Sequence, residues 1–149
     1  MLEEDRLKTL KYDIDVLINN AAIGDSGSIS EINVDRIENV FETNVFSNIK
    51  LTQLVLKNMI KKGNGRVIFL SSLAGKISIP FLAPYASSKF AIEGFVEALR
   101  MELKLLKSSK IDIILIEPGA YATGFNKENN DKKYTWMYKE SYFKNRLPQ

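Results

Sequence analysis

The chain holds 149 residues, of which 45% are hydrophobic and 26% charged, with a formal net charge of +3. That composition suits one globular domain and excludes a disordered or fibrous chain. The absence of Cys and His excludes disulfides, thiolate nucleophiles, Ser-His-Asp hydrolysis and metals held by those residues.

The first apolar run, IDVLI at 14–18, is short and β-branched and ends at Asn19-Asn20. It reads as a strand buried on both faces. A Gly- and Ser-rich loop, AAIGDSGSIS, follows. From Val34 to Lys62, Ile37, Phe41, Val45, Leu51, Val55 and Met59 recur at near-helical spacing, which predicts a long helix. Gly63-Asn64-Gly65 stops it, because these residue types accept the left-handed backbone of a helix end. RVIFL at 66–70 is a second strand, closed by Ser71-Ser72. After a loop with Gly75 and Pro80, a second helix is expected from Pro84 to Lys107. Pro84 suits a first turn, and Ile92, Val96, Leu99, Leu103 and Leu106 make an apolar stripe. IDIILI at 111–116 is a third strand, ending at Glu117-Pro118-Gly119, and a Lys- and Asn-rich tail begins at Asn126.

Strands separated by long helices are parallel, with right-handed crossovers. Such an α/β sheet takes ligands beyond the carboxyl ends of its strands. Asn19-Asn20, Ser71-Ser72 and Pro118-Gly119 all fall there. No apolar run reaches membrane-spanning length, and the N-terminal MLEEDRLKTLKYD lacks the apolar stretch of a secretory signal. The basic residues form no stripe, so neither a nucleic acid nor a membrane is an expected partner. Zero Cys makes a cytoplasmic location the expectation.

Acid–base chemistry without His falls to carboxylates, Lys or Tyr. Tyr85 and Lys89, four apart on the second helix, share a face. An ammonium beside a phenol favours the phenolate and lowers its pKa from about 10 towards neutrality. Taken singly, each residue has an ordinary reading: the pair as a surface-helix feature, Ser72 as a turn residue, Asn44 as a solvated helix residue. Thr123 alone is a loop threonine, and Asn19-Asn20 are turn formers.

Taken in order, NNAA at 19–22, Asn44, Ser72, YASSK at 85–89 and PGAYAT at 118–123 resemble the short-chain dehydrogenase/reductase family. GRVIFLSSLAG and FAIEGFVEALRMEL, between those motifs, resemble it too, so the likeness covers about residues 13–126. It implies an α/β fold: part of a Rossmann-like doubly wound parallel sheet with long flanking helices, the three strands matching the family's fourth to sixth. One domain is implied over 1–149, with a tail at 127–149 that is either a substrate-loop helix or disordered. The implied activity is an oxidoreductase moving hydride between NAD or NADP and a ketone or secondary alcohol. In that scheme Tyr85 donates or accepts the proton, while Lys89 lowers the Tyr85 pKa and hydrogen-bonds the nicotinamide ribose. Ser72 polarises the substrate carbonyl, and Asn44 disturbs its helix and anchors a water in the proton path. Asn20 and Ala21 pack near the adenosine and phosphate side of the cofactor, and Pro118, Gly119, Tyr121 and Thr123 meet the nicotinamide end. No metal is implied, and homo-oligomers form through the two long helices.

The chain departs from the family in two respects. A glycine-rich phosphate turn is expected well before NNAA, yet none of the eighteen residues before Asn19 is glycine. Ala22 also replaces the glycine of the usual NNAG. A chain truncated at its dinucleotide-binding end and at its C-terminus is therefore expected. The alternative function is a catalytically incompetent remnant or a non-catalytic binding protein of the same fold. The edge of the first strand is expected to be open, making the isolated chain poorly soluble or prone to pair with another chain. Phe81, Leu82, Tyr121, Phe125 and YTWMY at 134–138 either line an apolar substrate pocket, pack against the sheet or are disordered.

Overall fold

A computed structural model of the chain describes residues 13–106, 110–121 and 135–147. Three strands, β1 (Val16–Asn19), β2 (Asn64–Leu70) and β3 (Lys110–Ile116), pair in parallel in the order β1-β2-β3. The register sets Leu17 beside Val67, and Val67 beside Ile113. Because side chains alternate along a strand, Leu17, Asn19, Val67, Phe69, Ile113 and Leu115 share one face. Val16, Ile18, Ile68, Ile114 and Ile116 share the other.

The first crossover begins with α1 (Val34–Phe41), opened by Asn33, whose side-chain oxygen accepts the Asp35 N–H. The helix continues through a π-helical turn, Glu42–Phe46, into α2 (Ser47–Lys62). The long helix expected at 34–62 is thus present with one wide turn at its middle. It ends at Gly63, whose φ of 75° lies in the left-handed region that a side chain would strain. In the second crossover α3 (Ala83–Lys104) carries Pro84 in its first turn. It stops short of Lys107, where its stripe leaves the sheet: Leu103 is buried but Leu105 and Leu106 are exposed.

Both crossovers run the same way across the sheet, so α2 and α3 lie on one face of it. Leu17, Val67 and Phe69 meet Val55, Leu56 and Met59 of α2 and Ile92 and Val96 of α3 in a single core. On the other face Val16, Ile18 and Ile116 are exposed. Past the strands, β2 and β3 stay joined: Ser71 N–H donates to the Ile116 carbonyl at 2.8 Å and Leu73 N–H to that of Pro118 at 3.1 Å. These two bonds hold the loops that follow the strands side by side, and that is where the site forms.

Residues 135–140 make a helical turn that packs on the loop after β1. The Arg36 guanidinium sits 5.9 Å over the Trp136 ring. Glu31 accepts from Ser141 Oγ at 2.8 Å and from Tyr142 N–H at 2.9 Å. Phe143 meets Phe81 edge-on, ring centroids 5.3 Å apart. Residues 122–134, and with them Thr123 and Phe125, lie outside the described residues.

Candidate active site

Ser72 stands at the turn from β2 into a short 3₁₀ turn, Leu73–Gly75, which it caps by accepting the Ala74 N–H at 3.1 Å. Its extended backbone points the hydroxyl across the end of the sheet, where it hydrogen-bonds the Tyr85 phenol on the first turns of α3. One helical turn on, Lys89 is buried and donates to the Leu70 carbonyl at 2.8 Å, tying α3 to the carboxyl end of β2. Its ammonium lies 5.6 Å from the Tyr85 ring centroid. The three side chains therefore meet at one point, brought there by β2, its exit turn and the first two turns of α3.

Burial sets the proton affinities. The Lys89 ammonium, withdrawn from water, has its pKa lowered from 10.5 to about 8. Burial raises the Tyr85 phenol above its ordinary 10, and the Ser72 hydrogen bond offsets part of that rise. The lowered Tyr85 pKa expected from Lys89 is thus corrected for the chain as it stands. Desolvation of the phenolate is the largest effect on it.

Asn44 sits in the π-helical turn and is fully buried. Its Oδ1 accepts the Ile23 N–H at 2.8 Å, while Nδ2 donates to the Ile23 carbonyl at 2.9 Å and to Ser88 Oγ at 3.0 Å. Ser88 Oγ donates in turn to the Tyr85 carbonyl at 2.7 Å. Asn44 thus clamps the loop after β1 to the turn of α3 that carries Tyr85. Its own carbonyl accepts the Asn48 side-chain amide at 2.7 Å. Asn19 is turned away from the site and donates to Thr52 Oγ1 at 2.8 Å.

These groups face a cleft of about 960 Å³ at the carboxyl ends of the strands. Of the residues singled out in the sequence, Asn20, Ser72, Tyr85, Lys89, Pro118, Gly119 and Tyr121 line it; Asn44 stands behind the lining, and Ala21 is replaced there by Ala22. Leu82 lines it as well, whereas Phe81 turns its ring to Phe143. Sequence reading missed Leu73, Ile77 and Ile79, which line the cleft. Their signal was the density of large apolar residues (Leu73, Ile77, Ile79, Phe81 and Leu82) in a segment that Gly75 and Pro80 mark as a loop. Ser88 and Asn48, which hold Asn44, carried no separable signal. Among the described residues there is no cluster of acidic side chains fit to hold a metal ion.

The lining fits the nicotinamide-ribose part of a dinucleotide. The Lys89 ammonium has three donors, of which the Leu70 carbonyl takes one. Ser71 Oγ is buried, lines the cleft and has no partner among the described residues. Both suit ribose hydroxyls or a carboxamide.

Residues 5–134 match the short chain dehydrogenase family. The chain is 41% identical over 113 residues to dehydrogenase/reductase SDR family member 7B of Rattus norvegicus, covering 76% of this chain and 34% of that protein. It is 44% identical over 110 residues to the uncharacterized oxidoreductase YusZ of Bacillus subtilis (strain 168), covering 74% and 38%. Its fold matches that of a 4-hydroxyisoleucine dehydrogenase complexed with NADH and succinate, with a TM-score of 0.71 at 25% identity, over 78% of this chain and 54% of that one. The chain therefore spans little more than a third of the length of these two curated relatives. With its parallel three-stranded sheet and flanking helices, a Rossmann-type arrangement, and the match running through most of its length, the chain belongs to the short-chain dehydrogenase family of oxidoreductases.

Proposed function

We propose that this chain carries the proton-transfer machinery of an NAD(P)-dependent oxidoreductase that interconverts a ketone and a secondary alcohol. The observation that supports it is the meeting of Ser72, Tyr85 and Lys89 at the carboxyl end of β2, over a cleft. When bound, the nicotinamide supplies or takes the hydride at the substrate carbon. The chain's residues handle the rest. Ser72 donates a hydrogen bond to the substrate oxygen. In the reducing direction the Tyr85 phenol passes its proton to that oxygen as negative charge develops there, and the Lys89 ammonium steadies the phenolate left behind. A phenol held above its ordinary pKa by burial is protonated at neutral pH, which suits it to this donor role. Oxidation needs the phenolate, so its rate is expected to climb with pH while reduction does not. Asn44 positions the Tyr85 turn through Ser88. Fold-related NADH binding, as in the 4-hydroxyisoleucine dehydrogenase, supports the cofactor class.

NADH or NADPH oxidation in the presence of a ketone tests this reading, with Tyr85→Phe as the control. Loss of the proton donor is expected to lower turnover by about a hundredfold or more, and undiminished activity in the variant would refute the role.

A further inference from the structure

The wall of the cleft beside the reacting groups is apolar although it is built from a loop. Leu73, Ile77 and Ile79 are 51%, 64% and 53% exposed, and with Leu82 they line the space next to Ser72 and Tyr85. Large side chains of this kind left in water, side by side and at a cleft, mark a surface that an apolar partner covers. The loop is held in place. Ile77 N–H donates to the Leu73 carbonyl at 3.1 Å and Leu82 N–H to that of Ile79 at 3.3 Å. At its far end Phe81 adopts a φ of 66°, its carbonyl accepting the Gly27 N–H at 2.8 Å while its ring meets Phe143. A non-glycine residue in the left-handed region is strained and persists where the surroundings impose it. Anchored at Leu73 by the Pro118 carbonyl and at Phe81 by Gly27 and Phe143, the loop holds Ile77 and Ile79 at the cleft.

Asp25 also lines the cleft and is held by a bidentate ion pair with Arg36. Arg36, committed to Asp25 and to the Trp136 face, is not offered to a ligand. The Asp25–Arg36 pair is neutral as a unit and offers a carboxylate or phosphate on the substrate no free cation, while the apolar wall strips such a group of its hydration. Lys89, which also lines the cleft, sits beside Tyr85 in the proton machinery.

Building on the oxidoreductase reading, we infer that the substrate is an uncharged carbonyl compound or alcohol whose carbon chain lies along Leu73, Ile77, Ile79 and Leu82. All four line the cleft that Ser72 and Tyr85 also line, so a carbonyl held by that pair has this wall beside it.

The test is a binding measurement, independent of turnover. Saturation-transfer NMR and equilibrium dialysis of the 149-residue chain compare 2-decanone with 9-oxodecanoate, which has the same carbon count and a terminal carboxylate. The ketone is expected to bind at least about tenfold more tightly, and Ile79→Asp, an exposed position, to weaken it by about tenfold with an unchanged melting curve. If Ile79→Asp melts early, Ile77→Ser provides the same comparison. Equal or tighter binding of the oxo-acid overturns the inference, as does failure of the ketone to bind or indifference to both substitutions. Ketone binding without hydride transfer contradicts the oxidoreductase reading alone. Hydride transfer confined to oxo-acids contradicts this inference alone.

Discussion

Lys89 is a cation kept almost out of water, and its neighbours do not fully compensate for that. The drop from 10.5 to about 8 corresponds to roughly 3 kcal/mol between its charged and neutral forms. The unfolded chain keeps this proton up to about 10.5, whereas the folded chain releases it above about 8. Over that window the unfolded state binds more protons, so stability rises with pH; below it the full cost is present. Lys89→Met removes the charge and loses one hydrogen bond, worth about 1 kcal/mol. The variant is expected to melt above the wild type at neutral pH, with the difference shrinking towards pH 10.5 as thermal melts across pH follow it. A difference that does not change with pH contradicts the assignment. Asn44 is the opposite case, a buried amide with its partners in place. Asn44→Ala strands the Ile23 N–H and carbonyl and frees Ser88, so a loss of about 2–3 kcal/mol is expected from denaturant unfolding.

Among the elements, α2 packs tightly on the start of β2. A Cβ on Gly65 would lie 2.5 Å from Met59 Cγ and Sδ, and Met59 is fully buried. Gly65→Ala is therefore expected to destabilise by about 1–3 kcal/mol. In a Met59→Ala background the cost of Gly65→Ala should shrink, which a double-mutant cycle by denaturant melts reads out; strict additivity contradicts the contact. At this scale the sequence was a good guide where periodicity decides. β-branched runs marked all three strands, stripes marked the helices, and Gly63 marked a helix end. It was a poor guide where a long-range contact decides. The π-helical turn is held by Asn44 reaching Ile23 and Ser88, and the 73–82 loop by Gly27 and Phe143, none of them near in sequence. The Tyr85–Lys89 spacing foretold proximity, but its electrical consequence depended on the Leu70 carbonyl and on burial, which spacing does not encode.

For the whole molecule, helices α2 and α3 cover one face of the sheet, and Val16, Ile18 and Ile116 are exposed on the other. β1 pairs only with β2 among the described residues. Apolar side chains on an uncovered face beside a sheet edge favour association between chains. The 149-residue chain is expected to self-associate with rising concentration in sedimentation experiments, and Ile18→Lys to reduce this without lowering the melting temperature, since Ile18 is outside the core. A monodisperse, cooperatively melting wild-type monomer contradicts that expectation. The ordered motifs made the family legible at this scale, because Asn20, Ser72, Tyr85 and Pro118-Gly119 reach one cleft only if the three strands lie parallel in the observed order. Substrate chemistry was less legible, since Leu73, Ile77 and Ile79 acquire meaning only once their loop is seen at the cleft.

Deuterium transfer from NADH labelled at nicotinamide C4 to an apolar ketone, run in parallel on the 149-residue chain and its Tyr85→Phe variant, bears on the proton role of Tyr85. Labelled alcohol from the wild type, with a rate at least about a hundredfold lower in the variant, is the expected result. Equal rates from the two chains would contradict it.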